Sequence, residues 1–182
     1  MPRSASERRM ERQAMVVELR ELSLDDGMDI FEMIREIGPG ENGFMNSGYD
    51  IAYTEFPEYL RGHVDMAKGV GIDLTRYVPQ TRYWLFVDGR PVGIGKLRPC
   101  LNADLRRIGG HIGYTIRPSE RGKGYGNLIL RELVKKARER GVEEVLLTCS
   151  EDNSRSRKVI EHNGGELQDI SEGECRYWIR MV

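Results

Sequence analysis

Two hydrophobic periods alternate along this chain, and the places where one gives way to the other mark its elements. Val16 to Leu22 alternates apolar and polar positions, the two-residue period of a half-buried strand. Ser23 with Asp26 three residues on resembles a capping box and predicts a helix through about Ile37, ended by Gly38-Pro39-Gly40. A polar, glycine-dotted stretch to Asp50 reads as a loop, and Thr54 is placed to cap a second helix through about Lys68. Tyr83 to Val87, then Asp88-Gly89, then Pro91 to Leu97 predicts a hairpin on a D-G turn. Ile108 to Arg117 predicts a further strand. Tyr125, Leu128, Ile129, Leu133 and Ala137 then recur at helical spacing, with Gly141 as terminator. Val145-Leu146-Leu147 is continuously apolar, as in a central strand covered on both faces. A short helix from about Ser154 to His162 stops at Gly164-Gly165, and Cys175 to Met181 alternates as a last strand. The chain has no internal repeat and no linker.

The stretch with the most chemical content is Ile116 to Gly126, I-R-P-S-E-R-G-K-G-Y-G. A strand runs into a loop with Gly122, Gly124 and Gly126 on alternate positions, then opens a helix at about Tyr125. Glycines let backbone approach a ligand closely, and the free N–H groups of a helix start form an anion site. Arg121 and Lys123 add positive charge there. The spacing fits neither the Walker A loop nor the dinucleotide fingerprint, which leaves a pyrophosphate cradle or a plain strand-to-helix turn.

R-G-K-G-Y-G resembles R/Q-x-x-G-x-G/A, the acyl-coenzyme A signature of the GCN5-related N-acetyltransferases, with Arg121, Gly124 and Gly126 on its defining positions. G-G-H-I-G-Y-T-I-R-P before it resembles the family's fourth strand. V-L-L-T-C-S after it resembles the fifth, and D-N-S-R-S-R-K-V-I-E-H-N-G-G the Asn-led helix that follows. The agreement spans about residues 108–167. The resemblance implies an α/β fold in the order β-α-α-β-β-β-α-β-α-β-β. Its central sheet would be mixed and mostly antiparallel, with helices on both faces and splayed fourth and fifth strands. Acetyl-coenzyme A is the implied co-substrate, with no metal. Backbone of Ile116 and Arg117 would contact the pantetheine arm, and the Ile116 N–H would receive the oxyanion. Amides from Arg121 through Gly122, Lys123, Gly124, Tyr125 and Gly126 to Asn127 would hold the pyrophosphate. Asn153 matches the family's cofactor-contacting asparagine, with Ser156 beside it.

One departure concerns the general acid. Many relatives place a tyrosine seven residues after that asparagine, and here the position is Ile160. Water, the ammonium itself or another tyrosine such as Tyr177 would then protonate the thiolate. His162 is out of helical phase, and Cys149 reads as a small buried filler. Strand alternation places His111, Gly113, Thr115 and Arg117 on one face, where relatives often carry a glutamate base. His111 is therefore the candidate general base, against the alternative of a half-buried structural histidine. Glu41, Tyr49, Asp50, Tyr53 and Glu55 fall where relatives build the acceptor wall. His63 reads as structural or surface, and Trp84 and Trp178 as core or sheet-face residues.

Composition narrows the remaining choices. The 182 residues suit one domain over 15–182, with 1–14 a basic, disordered extension, a cloning remnant or a misassigned start. Cys100, Cys149 and Cys175 lack framework or zinc spacing and suggest reduced thiols in a cytoplasm. The net charge of −1 hides eleven acidic against two basic residues over Glu21–Asp65, and ten basic against four acidic over Cys100–Arg140. The basic region suits a phosphate-bearing cofactor and the acidic one a cationic amine. Neither nucleic acid nor membrane is implied, since interleaved aromatics and long apolar runs are absent. Homodimerisation is a family habit. The reading is an N-acetyltransferase that acetylates a primary amine of a small molecule, amino-acid derivative or peptide in a ternary complex. The alternative is a catalytically inactive coenzyme A binding module acting as a sensor or interaction domain.

Overall fold

The computed structural model describes residues 13–180, so all but the last two residues of the expected 1–14 extension lie outside the described residues. In chain order the elements are β1 (Val17–Glu21), α1 (Met28–Ile37), α2 (Phe56–Ala67), β2 (Thr81–Val87), β3 (Arg90–Leu97) and α3 (Ala103–Arg107). There follow β4 (Ile112–Ile116), α4 (Tyr125–Glu139), β5 (Glu144–Ser150), α5 (Ser154–His162), β6 (Glu166–Ser171) and β7 (Glu174–Arg180). Strands β1-β2-β3-β4 form one antiparallel sheet, and β5-β7-β6 form a second.

Strand β2 is buried at every position because helices cover the first sheet on both sides. Its Tyr83, Leu85 and Val87 enter a core with Ile129, Leu130 and Leu133 of α4 and Ile160 of α5, continued by Val145, Leu147, Tyr177 and Ile179 of the second sheet. Trp84 and Phe86 face the other way, onto Ile30 and Ile34 of α1 and Phe56 and Leu60 of α2. Helix α1 buries Ile30, Phe31, Met33, Ile34 and Ile37, each contributing roughly 1.5–3 kcal/mol if fully removed from water. No helix among the described residues is long and apolar enough to cross a membrane.

The two sheets meet at one short joint. The His111 N–H donates to the Leu146 carbonyl (2.8 Å), and the Leu146 N–H donates back to His111 Nδ1 (2.9 Å). Gly109 N–H adds a bond to Thr148 Oγ1 (2.8 Å). Past this joint, among the described residues, β4 pairs only with β3, and β5 only with β7, so the fourth and fifth strands splay. Gly110 makes the approach possible. Its φ is +62°, and a Cβ there would sit 2.2 Å from the Leu146 carbonyl oxygen.

Several expected boundaries move, for local reasons. Helix α1 starts at Met28 rather than at Ser23, because Asp26 is committed to a turn. Its Oδ2 accepts from the Ser23 N–H (2.8 Å) and from the Trp84 indole (2.7 Å). Thr54 caps nothing: Tyr53–Glu55 is a 3₁₀ turn in which Glu55 accepts the Ala52 N–H (2.8 Å), and α2 begins at Phe56 with Pro57 in its first turn. The strand expected from Ile108 begins only at Ile112, since Gly109 and Gly110 both have positive φ. Helix α3, with Asn102 accepting the Leu105 N–H (2.9 Å), is too short to show a period in sequence.

The loop after α1 is fixed by one residue the pattern gave no reason to single out. Asn46 is 1% exposed, and its Nδ2 donates to the carbonyls of Ile34 and Gly38, both at 2.8 Å. It satisfies carbonyls at the end of α1 and holds Glu41–Phe44 beside the sheet.

Candidate active site

The splay opens a cleft of about 730 Å³ bounded by β4, the glycine loop, α4, β5, α5 and the Glu41–Phe44 loop. Strand β4 presents backbone to it. Arg117 N–H donates to the Val92 carbonyl of β3 (2.8 Å), so by antiparallel alternation Thr115 and Gly113 also turn towards β3. Tyr114 and Ile116 therefore turn their backbone groups into the gap. The Arg117 N–H expected to contact cofactor is already used.

At the head of the cleft, Gly122 (φ +79°) and Gly124 (φ +83°) are left-handed, with open space where a Cβ would lie. Among the described residues no backbone N–H from Gly122 to Asn127 donates to a backbone carbonyl. These are the loop donors and first-turn donors of α4, a concave anion site at the positive end of a helix dipole. The Asn127 Oδ1 is buried there without a partner. Gly126 does another job: its would-be Cβ lies 3.4 Å from Val159 Cγ2, so it sets the α4–α5 approach.

The positive side chains expected to aid phosphate binding are mostly engaged elsewhere. Arg117 is buried, pairs with Glu36 and donates to the Pro91 carbonyl (3.0 Å). Arg121 Nε caps the Ile116 carbonyl (3.0 Å), and its Nη1 pairs with Glu41 (2.6 Å). Lys123 pairs with Glu120 (2.6 Å). Part of the acidic N-terminal segment thus neutralises the basic loop instead of facing solvent as an open field.

Asn153 and Ser156 both line the cleft, as the motif implies, and Asn153 Oδ1 caps α5 by accepting the Ser156 N–H (3.2 Å). Ser156 Oγ lies 3.3 Å from the Tyr114 hydroxyl, which burial pushes up to about 12. Burial, then neighbouring Cys175, pushes the Cys149 thiol up to about 11, so it stays protonated. Ile160 is buried in the core. Tyr177 is fully buried, bonded to Glu161 (2.8 Å) and Arg157 (3.0 Å), and lies outside the cleft lining.

His111 does not line the cleft, and its geometry does not suit the expected base. Its Nδ1 lone pair is occupied by the Leu146 N–H, so the neutral ring carries its proton on Nε2 and has no free acceptor. Burial, then Arg106 and Arg98, pushes it down to about 4. His63 is similarly neutral, pushed to about 3 by burial and then by Arg82 and Lys96, with its ring 4.5 Å from that of Tyr59.

Of the expected acceptor wall, only Glu41 reaches the cleft. Tyr49 and Asp50 are exposed, Tyr53 packs on Phe31, and Glu55 holds Ala52. The wall consists instead of Asn42–Phe44, Lys96 and Arg98 of the β3 end, Ile108–Gly109 and Gly113. Across the gap stands Glu174, the first residue of β7, whose Oε2 is buried without a partner and whose pKa burial raises. None of these was legible as a motif, because sheet register and the Asn46-held loop bring them together across the fold.

The fold and cleft define an acyl-coenzyme A type acetyltransferase scaffold. The Acetyltransferase (GNAT) family profile matches residues 46–164, and the chain belongs to this family. No curated protein sequence matches it. The solved structures carry the likeness further, at the level of fold. RimL, a ribosomal-protein alpha-N-acetyltransferase in complex with coenzyme A, has a TM-score of 0.65 at 16% identity, over 91% of this chain and 94% of that one. The N-acetyltransferase PseH of Campylobacter jejuni in complex with acetyl coenzyme A gives 0.61 at 14%, over 92% and 100%. The GNAT domain of PAT from S. lividans gives 0.62 at 13%, over 91% and 90%.

Proposed function

We propose that this chain transfers the acetyl group of acetyl-coenzyme A to a primary amine by direct attack within a ternary complex. The observation that carries this reading is the gap itself. Unspent strand amides of Tyr114 and Ile116 lie in line with six unspent loop and helix amides, and Asn127 adds an unpartnered buried acceptor. That fits a long ligand with an amide-bearing arm and an anionic head. The pyrophosphate sits on Gly122–Asn127, the pantetheine arm lies along β4 towards Asn153 and Ser156, and the Ile116 N–H, with that of Tyr114, receives the oxyanion.

Glu174 takes the proton from the amine, because it is the cleft carboxylate without an ion pair among the described residues and burial raises its basicity. Tyr114, hydrogen-bonded to Ser156, supplies the hydroxyl that Ile160 lacks, and returns a proton to the leaving thiolate. His111 acts as the joint between the sheets. Buried Ile160 also supports a second reading, a coenzyme A binding module without transferase activity.

Parallel calorimetric titrations with acetyl-coenzyme A, coenzyme A and ATP test the site. Binding of the first two but not ATP is expected, followed by thiol release with a subset of amines. Binding without turnover across a broad amine panel favours the non-catalytic module. Absence of both bindings reduces the glycine loop to a turn.

A further inference from the structure

The acceptor face of the cleft is electrically lopsided. Register places Arg82 opposite Lys96 on β2 and β3, and Lys96 opposite Gly113 of β4. Arg98 follows two residues on, pointing to the same face. Lys96 is 8% exposed, and its Nζ donates to the Met45 carbonyl (2.6 Å) and lies 3.9 Å from the centre of the Phe44 ring. Arg98 Nη1 donates to the Gly110 carbonyl (3.1 Å). Arg82, 4% exposed, reaches the Tyr59 hydroxyl (2.6 Å), and its Nε has no partner among the described residues.

Among the described residues none of these three cations has a carboxylate partner. Buried charges are costly unless paired, and three on one face repel one another. That stress is visible in Lys96, pushed down to about 7 by burial, then by Arg82 and Arg98. Two of the three, Lys96 and Arg98, line the cleft and keep unused N–H groups.

The opposite bank carries the complementary defect. Glu174 pairs with Ser150 in register, on the face of the second sheet away from Cys149 and Cys175, and its Oε2 is buried and unpartnered. An uncompensated pair of cations on the β3 side and an uncompensated carboxylate on the β7 side thus line the same cleft, on opposite sides of the splayed gap. A simple alkylamine would satisfy only the second bank.

We propose that the acceptor is a zwitterionic amine, an amino-acid-like molecule bearing its own carboxylate. That carboxylate is held by Lys96 and Arg98, and its amine is presented across the gap towards Glu174. This rests on the acetyltransferase reading and narrows its substrate to amines with an adjacent anionic group.

The test compares free L-amino acids with their carboxamides as acceptors, by thiol release from acetyl-coenzyme A, in the unaltered chain and in Lys96→Gln. In parallel, N-acetyl amino acids and N-acetyl amino amides are titrated into the coenzyme A complex, so the carboxylate subsite is read without turnover. The free acids should exceed the amides by about ten- to hundredfold in kcat/KM, the usual weight of a hydrogen bond to a charged group. In Lys96→Gln, which leaves Arg98 in place, the acid-to-amide ratio should fall severalfold, with coenzyme A affinity reporting an intact cleft. Equal acceptance of acids and amides, or a ratio unmoved by Lys96→Gln, overturns the proposal. If acetyl-coenzyme A binds and no amine turns over, a preference for the acid products still supports the subsite, and its lack refutes it. If acetyl-coenzyme A itself does not bind, the acetyltransferase reading falls first and takes the subsite with it.

Discussion

The two banks of the cleft are made of different material. On one, β4, the glycine loop and α4 offer backbone N–H groups, and nearby Arg117, Arg121 and Lys123 are tied down by Glu36, Glu41 and Glu120. On the other, β3 and β7 offer side-chain charges without an ion-pair partner among the described residues: Lys96 and Arg98, which donate only to carbonyls, and Glu174. A backbone surface tolerates changes of side chain and can serve one invariant ligand. A surface of unpaired side-chain charges is specific, and one substitution can retune it. Under the proposed function, the backbone bank serves the shared cofactor and the side-chain bank the acceptor.

The largest effect should come from breaking the backbone bank. Gly124→Asp places a carboxylate in the anion site at a left-handed position and should lower coenzyme A affinity by well over a hundredfold. Gly124→Ala adds only the backbone strain, roughly 1–2 kcal/mol, because nothing lies within 4 Å of the new Cβ. Calorimetry on both separates loss of the site from loss of the fold. Micromolar binding by Gly124→Asp would remove the pyrophosphate from this loop.

On the side-chain bank, Glu174→Gln should reduce kcat/KM by about a hundredfold with coenzyme A affinity kept. Activity of the unaltered chain should rise with pH as Glu174 deprotonates, at a pH above the ordinary glutamate range because burial raises it. Loss of that acid limb in the variant is the diagnostic, and an unchanged pH–rate profile would exclude Glu174 as base. Tyr114→Phe should cost less, about tenfold in kcat, since Ser156 Oγ at 3.3 Å can pass a proton from water. An undiminished kcat would assign thiolate protonation to solvent.

The smallest effect sharpens the comparison at the joint between the banks. His111 has a folded pKa of about 4 against 6.5. Between those values the unfolded chain binds the extra proton, so stability is fully present above pH 6.5 and is lost as pH falls towards 4, by up to roughly 3 kcal/mol. His111→Leu should remove this dependence and cost about 1–2 kcal/mol at neutral pH through the unpaired Leu146 N–H. Denaturant titrations at pH 4.5 and 7 check this. A neutral-pH rate profile reshaped by the same substitution would return His111 to the chemistry.

The unevenness of the sequence reading follows from the same division. The hairpin at Asp88-Gly89, α4 and α5 were legible because each obeys a local rule of turn chemistry or helical spacing. The loop Gly122–Gly126 was legible because left-handed backbone asks for glycine. The start of α1 was misplaced because Asp26 answers Trp84, 58 residues away. His111 stood on the expected strand face, but its partner Leu146 lies 35 residues on, and that bond decides its protonation. Lys96 and Glu174 carry no local signal.

From near neighbours alone the chain declares most of its strands and helices, though not the short α3, and the left-handed glycine loop, because periodicity and backbone conformation are local; helices on both faces followed only from the family resemblance. Tertiary structure alone decided which charges are spent and which remain. Ion pairing and burial depend on distances across the sheets: Glu36 and Arg117, Glu41 and Arg121, and Lys96 and the Met45 carbonyl that accepts from it are each far apart in the chain.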